Sequence, residues 1–321
     1  MNYYSENGRF HDGHCHLSPS INEEAFERFK GVIHCALSRV DKPLVNLMST
    51  NHIDLQFVRQ LAMEVPAVFP SYGIHPWYSH LFSVVPVNTE EEKRNHYHQI
   101  LNPPPSQELL TNLPMPIYLN DHIKTIEQYL EEGGAIGEIG LDKVFRVPYS
   151  GFMGPREGLG LSPCRVSMNH QIIIFEAFLR MAQAKNRPVS IHCVGCHGKL
   201  LESVQKIIKS SSLVTLHSYS GSYDQFKLWM KKYPNIRLSV SKVLNLDKYK
   251  DTLQKISSAA KETTFVLETD LSLDMLFLDA PNKHLELLKT TYEELKSIQG
   301  GIDLGSLTSA FEYCIGDQTN N

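Results

Sequence analysis

No apolar run in this chain approaches the length needed to span a bilayer; the longest are short segments such as Ile172-Ile173-Ile174-Phe175. Residues Met1 to Phe10 are polar and aromatic, with neither the apolar core of a secretory leader nor an Arg-rich amphipathic presequence. The six cysteines (Cys15, Cys35, Cys164, Cys193, Cys196, Cys314) lack the spacing of a disulfide framework, so a reducing compartment is expected. A formal net charge of −4 gives no broad basic footprint for duplex nucleic acid, although it leaves room for a nucleic-acid substrate held at a small metal-lined site. Internal repeats and low-complexity segments are lacking too. These absences predict a cytoplasmic or nuclear protein that does not enter membranes. What is present is ordinary globular material: 321 residues, 42% hydrophobic and 21% charged, enough for a sizeable core.

Short β-branched or apolar runs alternate with amphipathic stretches. The pattern predicts strands at Phe10–His16, Gly31–Leu37, Val68–Gly73, Gly134–Gly140, Pro188–His192, Leu213–His217, Ile236–Val240 and Phe265–Leu267. Helical spacing recurs between them, in Val58/Leu61/Ala62/Val65, Ile123/Ile126/Leu130, Phe175/Phe178/Leu179/Ala182, Leu200/Leu201/Val204/Ile208 and Phe226/Trp229/Met230. Past His284 the spacing gives one more helix and, after Gly300-Gly301, a short closing one near Cys314. Eight strands with intervening helices predict a single (β/α)8 TIM barrel over residues 1–321, with a doubly wound open sheet as the alternative. Two stretches break the alternation. The Pro-rich segment 79–119 follows the third strand and the Gly/Pro-rich segment 143–167 follows the fourth. Loops leaving strand C-termini lie over the mouth of a barrel, so both are expected as lids or substrate walls, or else as surface excursions of no function.

Metal-capable side chains collect at the ends of five predicted strands. His14 and His16 are two apart on the first and share a face. Glu138 ends the fourth, His192 the fifth and His217 the sixth, and the eighth runs into Glu268-Thr269-Asp270. A barrel gathers these ends around one mouth, and shared ions account for buried imidazoles and carboxylates together. Two sets are expected, bridged by Glu138: His14, His16, Glu138 and Asp270 for one ion, Glu138, His192 and His217 for the other. The run His192-Cys-Val-Gly-Cys196-His197 competes as a zinc knuckle or a redox Cys-x-x-Cys. A closed zinc site wants a second ligand pair, and none stands at the usual spacing; a metal-proximal thiol sensitive to oxidation is the milder reading.

The order of these pieces resembles the TatD family of metal-dependent hydrolases within the amidohydrolase superfamily. The matching segments are Asp12-Gly-His-Cys-His-Leu17, Tyr72-Gly-Ile-His-Pro76, Gly137-Glu-Ile-Gly-Leu-Asp142, Ile191-His192, His217-Ser-Tyr-Ser-Gly221 and Glu268-Thr-Asp270. The resemblance implies a TIM-barrel deoxyribonuclease of 3′–5′ exonuclease type. It also implies two divalent ions (Mg, Mn or Zn) on His14, His16, Glu138, His192, His217 and Asp270, and DNA ends or single strands as substrate. In that frame Glu138 and Asp270 are the catalytic carboxylates, Asp270 taking the proton of the attacking water. His75 is a candidate donor to the substrate phosphate, Asp142 orients a ligand imidazole, and Tyr219 stacks on a base or packs in the interior. Two positions depart from the family pattern: Val194 stands where an Arg is usual and Leu271 where a Pro is usual. Arg is the natural bidentate holder of phosphate, and Arg146, Arg156 and Arg165 on the second inserted segment, or Lys199, are candidates to replace it. The other readings are hydrolysis of a C–N or ester bond in a small molecule, and a metal-binding scaffold with weakened catalysis. A monomer is the default expectation.

Overall fold

Residues 2–5, 8–152, 160–260 and 264–316 are described in a computed structural model. Eight parallel strands form one sheet in sequence order: β1 (Asp12–His16), β2 (Val45–Met48), β3 (Val68–Tyr72), β4 (Ala135–Asp142), β5 (Val189–Val194), β6 (Val214–Leu216), β7 (Arg237–Val240) and β8 (Phe265–Leu267). The ends of the sheet meet without a regular ladder. There His16 N–H donates to Leu271 O and Asp270 N–H to His14 O, closing the barrel between β1 and β8. Most strand residues are buried, because helices cover one face and the barrel interior the other, which is why these strands read as continuous apolar runs.

The expected strand at Gly31–Leu37 is instead the end of helix Glu23–Leu37. Phe26, Phe29, Ile33 and Leu37 lie on one buried face of it at helical spacing, Asn22 caps its N-terminus, and Glu23 and Glu24 favour the first turn. The second strand is Val45-Asn-Leu-Met48, a four-residue run too short to show a period. The other predicted strands and helices stand within a few residues of their expected bounds, including helices Met168–Lys185 and Leu304–Cys314.

The two long segments are not structureless. Segment 79–119 contains helices Glu90–Ile100 and Gln107–Asn112, and Leu101–Asn102 pairs antiparallel with Arg165–Val166 from the second segment. Tyr97, Leu109, Leu113, Val147 and Cys164 form a small core shared by the two. None of their described residues lines the central cavity, contrary to a lid role. They support its wall from behind. Phe145 stacks on Trp77 with ring centroids 5.1 Å apart, and Phe152 packs on Tyr78 at 4.9 Å. No helix is long and apolar enough to cross a membrane among the described residues.

Candidate metal centre

The C-terminal ends of the strands surround a cavity of about 450 Å³, and Glu138 sits at its floor, 1% exposed. Its two carboxylate oxygens face different imidazoles. Oε2 lies 3.3 Å from His14 Nε2 and 3.3 Å from His16 Nε2. Oε1 lies 2.8 Å from His192 Nδ1, 3.4 Å from His75 Nε2 and 3.6 Å from His217 Nε2. Asp270 Oδ1 completes the first set, 3.2 Å from His16 Nε2 and 3.9 Å from His14 Nε2. Asp270 has φ +56° and Ser218 φ +39°, left-handed conformations that non-glycine residues adopt at a cost and that gather at functional sites.

This donor set fits divalent ions. His14 Nε2 and His16 Nε2 approach to 3.1 Å with their remaining neighbours mainly carboxylate oxygens, and Glu138 Oε1 has no hydrogen-bond partner. Ligands about 2.1 Å from a common ion are about 3.0–3.4 Å apart, the spacing found among Glu138 Oε2, His14 Nε2 and His16 Nε2. Two of the four far nitrogens meet a hydrogen-bond partner, while His16 Nδ1 and His192 Nε2 have none among the described residues. His217 Nδ1 bonds Glu268 Oε2 at 2.7 Å, turning Nε2 to the centre, and His14 Nδ1 meets Ser190 Oγ at 3.2 Å. Ser218 and Ser239 also donate to Glu268, so this carboxylate is fully engaged behind the histidine.

Burial alone would lower the histidine pKa values, but the carboxylates overrule it at three positions: Asp270 and Glu138 raise His16, and His192 and His217 rise further. The Asp142 and Glu138 carboxylates on either side of His192 push it up to about 9. Glu268, Asp270 and Glu138 together raise His217 to about 10. Burial opposes ionisation of Glu138 and Asp270 too. Yet the surrounding imidazoles hold Glu138 well below the usual carboxylate range and Asp270 at about 2. His192 and His217 are thus protonated at neutral pH in the metal-free protein, and an ion must displace both protons. At pH 7–8 metal uptake is expected to release about two protons at this set, with affinity rising about 100-fold per pH unit until pH 9. Calorimetry in buffers of different ionisation heat counts those protons. Glu268→Gln is expected to weaken the ion about 10–100-fold, since the amide no longer fixes the His217 tautomer; competitive titration with a chelator reads it.

All six expected ligands converge here. Asp142 Oδ2 lies 3.6 Å from His192 Nε2, on the side away from Glu138, and accepts from Trp77 Nε1 at 2.8 Å. His75 Nδ1 accepts from Trp77 N–H, which leaves the proton of its neutral ring on Nε2, the nitrogen turned toward Glu138 and the cavity. Tyr219 does not face the cavity. It is buried against His197 and Phe226 and donates to Ser222 O, so it packs in the interior. Arg146 and Arg165 are exposed and Lys199 lies on the outer surface of helix His197–Ile207; none lines the cavity, and Arg156 lies outside the described residues.

Sequence reasoning missed three contributors. Glu268 was visible only as part of Glu268-Thr-Asp270, with nothing to separate its role from that of Asp270. Asp12 accepts from His14 N–H and Thr269 N–H through Oδ1, and from Thr269 O–H and His284 Nε2–H through Oδ2, tying β1 to the chain after β8. Lys248 enters the wall from the chain after β7, where a single π turn, Lys242–Leu246, precedes helix Asp247–Ala259. Such π turns recur near functional sites.

The family model described as TatD related DNase matches residues 11–301. A Saccharomyces cerevisiae protein named as an uncharacterized deoxyribonuclease is 35% identical over 241 residues, covering 71% of this chain and 75% of that protein. The Schizosaccharomyces pombe Cut9-interacting protein scn1 is 33% identical over 255 residues, 67% of this chain and 72% of its own length. Among solved structures, the Escherichia coli TatD homologue YjjV superposes with a TM-score of 0.59 at 16% identity, over 96% of this chain and 98% of that one. That last likeness concerns the fold alone.

Proposed function

The chain belongs to the TatD-related DNase family of metal-dependent hydrolases, and from that premise we propose that it removes nucleotides from the 3′ ends of DNA with two divalent ions. The observation that carries the reading is the division of histidines by Glu138, with His14 and His16 at one carboxylate oxygen and His192 and His217 at the other. His14, His16, Glu138 and Asp270 would hold one ion, and Glu138, His192 and His217 the second. Such ions supply charge neutralisation at a phosphoryl oxygen and a water acidic enough to attack near neutral pH.

The chain's own groups supply the rest. Asp270, ionised above pH 2 and 21% exposed at its side chain, takes the proton of the attacking water in this reading. His75 offers Nε2–H to a substrate oxygen; burial lowers its pKa to about 4, so it donates as the neutral ring. Lys248 is the only Lys or Arg among the lining residues and makes no ion pair among the described residues. A free ammonium beside the centre can meet a phosphate, replacing the Arg absent at Val194. Trp77, Tyr78 and Tyr249 add aromatic faces for a terminal base. A cavity of about 450 Å³ suits one nucleotide unit and favours attack at an end.

Lys248→Ala is expected to raise KM for DNA about 10–100-fold with kcat nearly unchanged, the value of one charged hydrogen bond; steady-state kinetics separates the two. The deciding experiment follows end-labelled single- and double-stranded DNA, and RNA beside them, with Mg²⁺ or Mn²⁺ and then with chelator. Stepwise shortening from the 3′ end that stops with chelator supports the reading. Metal-loaded protein that leaves every strand intact yet cleaves a small ester or amide would move the assignment to the small-molecule hydrolases, which the largely apolar cavity wall also suits.

A further inference from the structure

Cys193 and Cys196 bracket the turn between β5 and helix His197–Ile207, Cys193 within the strand and Cys196 at the N-cap of the helix. Their sulfurs are 3.8 Å apart. A disulfide needs about 2.05 Å, a gap that side-chain rotation together with a small shift of the strand end closes across so short a turn. Gly195 makes that turn with φ +71°. The backbone on either side is pinned. Cys193 pairs with Leu141 of β4, and its carbonyl accepts from Ser220 Oγ at 3.2 Å. Cys196 Sγ touches the carbonyls of Leu141 and Val194 at 3.3 Å. Cys193 also lines the metal cavity, so a small oxidant that enters the cavity reaches it. Cys15, Cys35, Cys164 and Cys314 make no contact with another cysteine among the described residues.

We propose that Cys193 and Cys196 form an oxidation site, a dithiol that hydrogen peroxide converts to a disulfide, and that this disulfide loosens the ion held by His192. One thiolate of the pair, Cys196 being the one its partner holds below the usual thiol range, attacks one peroxide oxygen and the O–O bond breaks, giving a sulfenic acid and water. The partner sulfur then attacks the oxidised one, the S–O bond breaks, and the hydroxyl leaves as a second water. Two thiols lose two electrons and two protons, peroxide accepts both, and no other reactant is needed. His192 is the residue before Cys193 and holds Nδ1 2.8 Å from Glu138 Oε1. Drawing the Cys193 side chain toward the helix shifts the strand end that aims this nitrogen. The coupling to the ion rests on the two-metal reading; the disulfide does not.

The test treats the full chain, with and without Zn²⁺ (which has no redox chemistry of its own), with peroxide and maps the product by mass spectrometry. The expected result is the loss of two hydrogen masses and of two of the six thiols, a Cys193–Cys196 linked peptide, and full reversal by dithiothreitol. Zinc affinity of the oxidised protein, measured by calorimetry, should fall about 10-fold and recover on reduction. Cys196→Ser and Cys196→Ala should stop at a sulfenic acid on Cys193 that dimedone traps. Oxidation at other cysteines, or at Cys193 without linkage in the wild type, overturns the site. A clean disulfide with unchanged zinc affinity overturns the coupling. Failure of the protein to bind zinc in either redox state removes the two-metal reading while leaving the disulfide to stand on the peptide map.

Discussion

Glu138→Gln is expected to abolish turnover by about 10³-fold or more while the chain keeps its fold. The substitution preserves volume, so packing around the buried side chain is retained. What changes is charge and donor pattern. The carboxylate carries the negative charge that His75, His14 and His217 stabilise, and its two oxygens accept on opposite sides. An amide has one acceptor oxygen and puts an NH₂ against one of the two histidine sets, where it meets a ring nitrogen that must keep a lone pair for metal. Metal content by elemental analysis should fall in the same preparation that loses activity. Retention of both ions with normal turnover would remove Glu138 from the centre of the mechanism.

Asp12→Ala is expected to cost about 3–5 kcal/mol of stability, the largest effect of any single change away from the cavity. Asp12 is fully buried and accepts four hydrogen bonds that join β1, Thr269 and His284, the last of which bonds Tyr3 O–H at 2.8 Å through its other nitrogen. Removing the carboxylate leaves four donors buried without a partner, at the seam where the barrel closes without a regular ladder. Asp12→Asn should be milder, because one amide oxygen still accepts while its NH₂ faces donors. Urea denaturation of metal-free protein measures both. A loss below about 1 kcal/mol for Asp12→Ala would mean that water replaces the carboxylate or that the seam is held elsewhere.

The architecture, and the six candidate ligands that it gathers at one mouth, were readable in the sequence. β-strands buried on both faces produce dense apolar runs, helices produce a 3.6 period, and their alternation leaves few folds to choose from. The candidates were legible because a barrel places every strand end at one mouth, so His14, His16, Glu138, His192, His217 and Asp270 could be gathered from their positions in the chain alone. Where local signals were short or ambiguous the reading failed: Val45–Met48 has too few residues to show a period, and Gly31–Leu37 is apolar because it is the buried face of a helix. Only the tertiary structure decided the rest. Which nitrogen of His217 faces the centre depends on Glu268, and Asp12 meets His284 across 272 positions of chain. Lys248, which follows a π turn after β7, lines the cavity, whereas Arg146 and Arg165 do not, and the described parts of the inserted segments pack behind Trp77 and Tyr78. Periodicity encodes which face of an element is buried. It carries no record of which distant side chain will arrive to meet it.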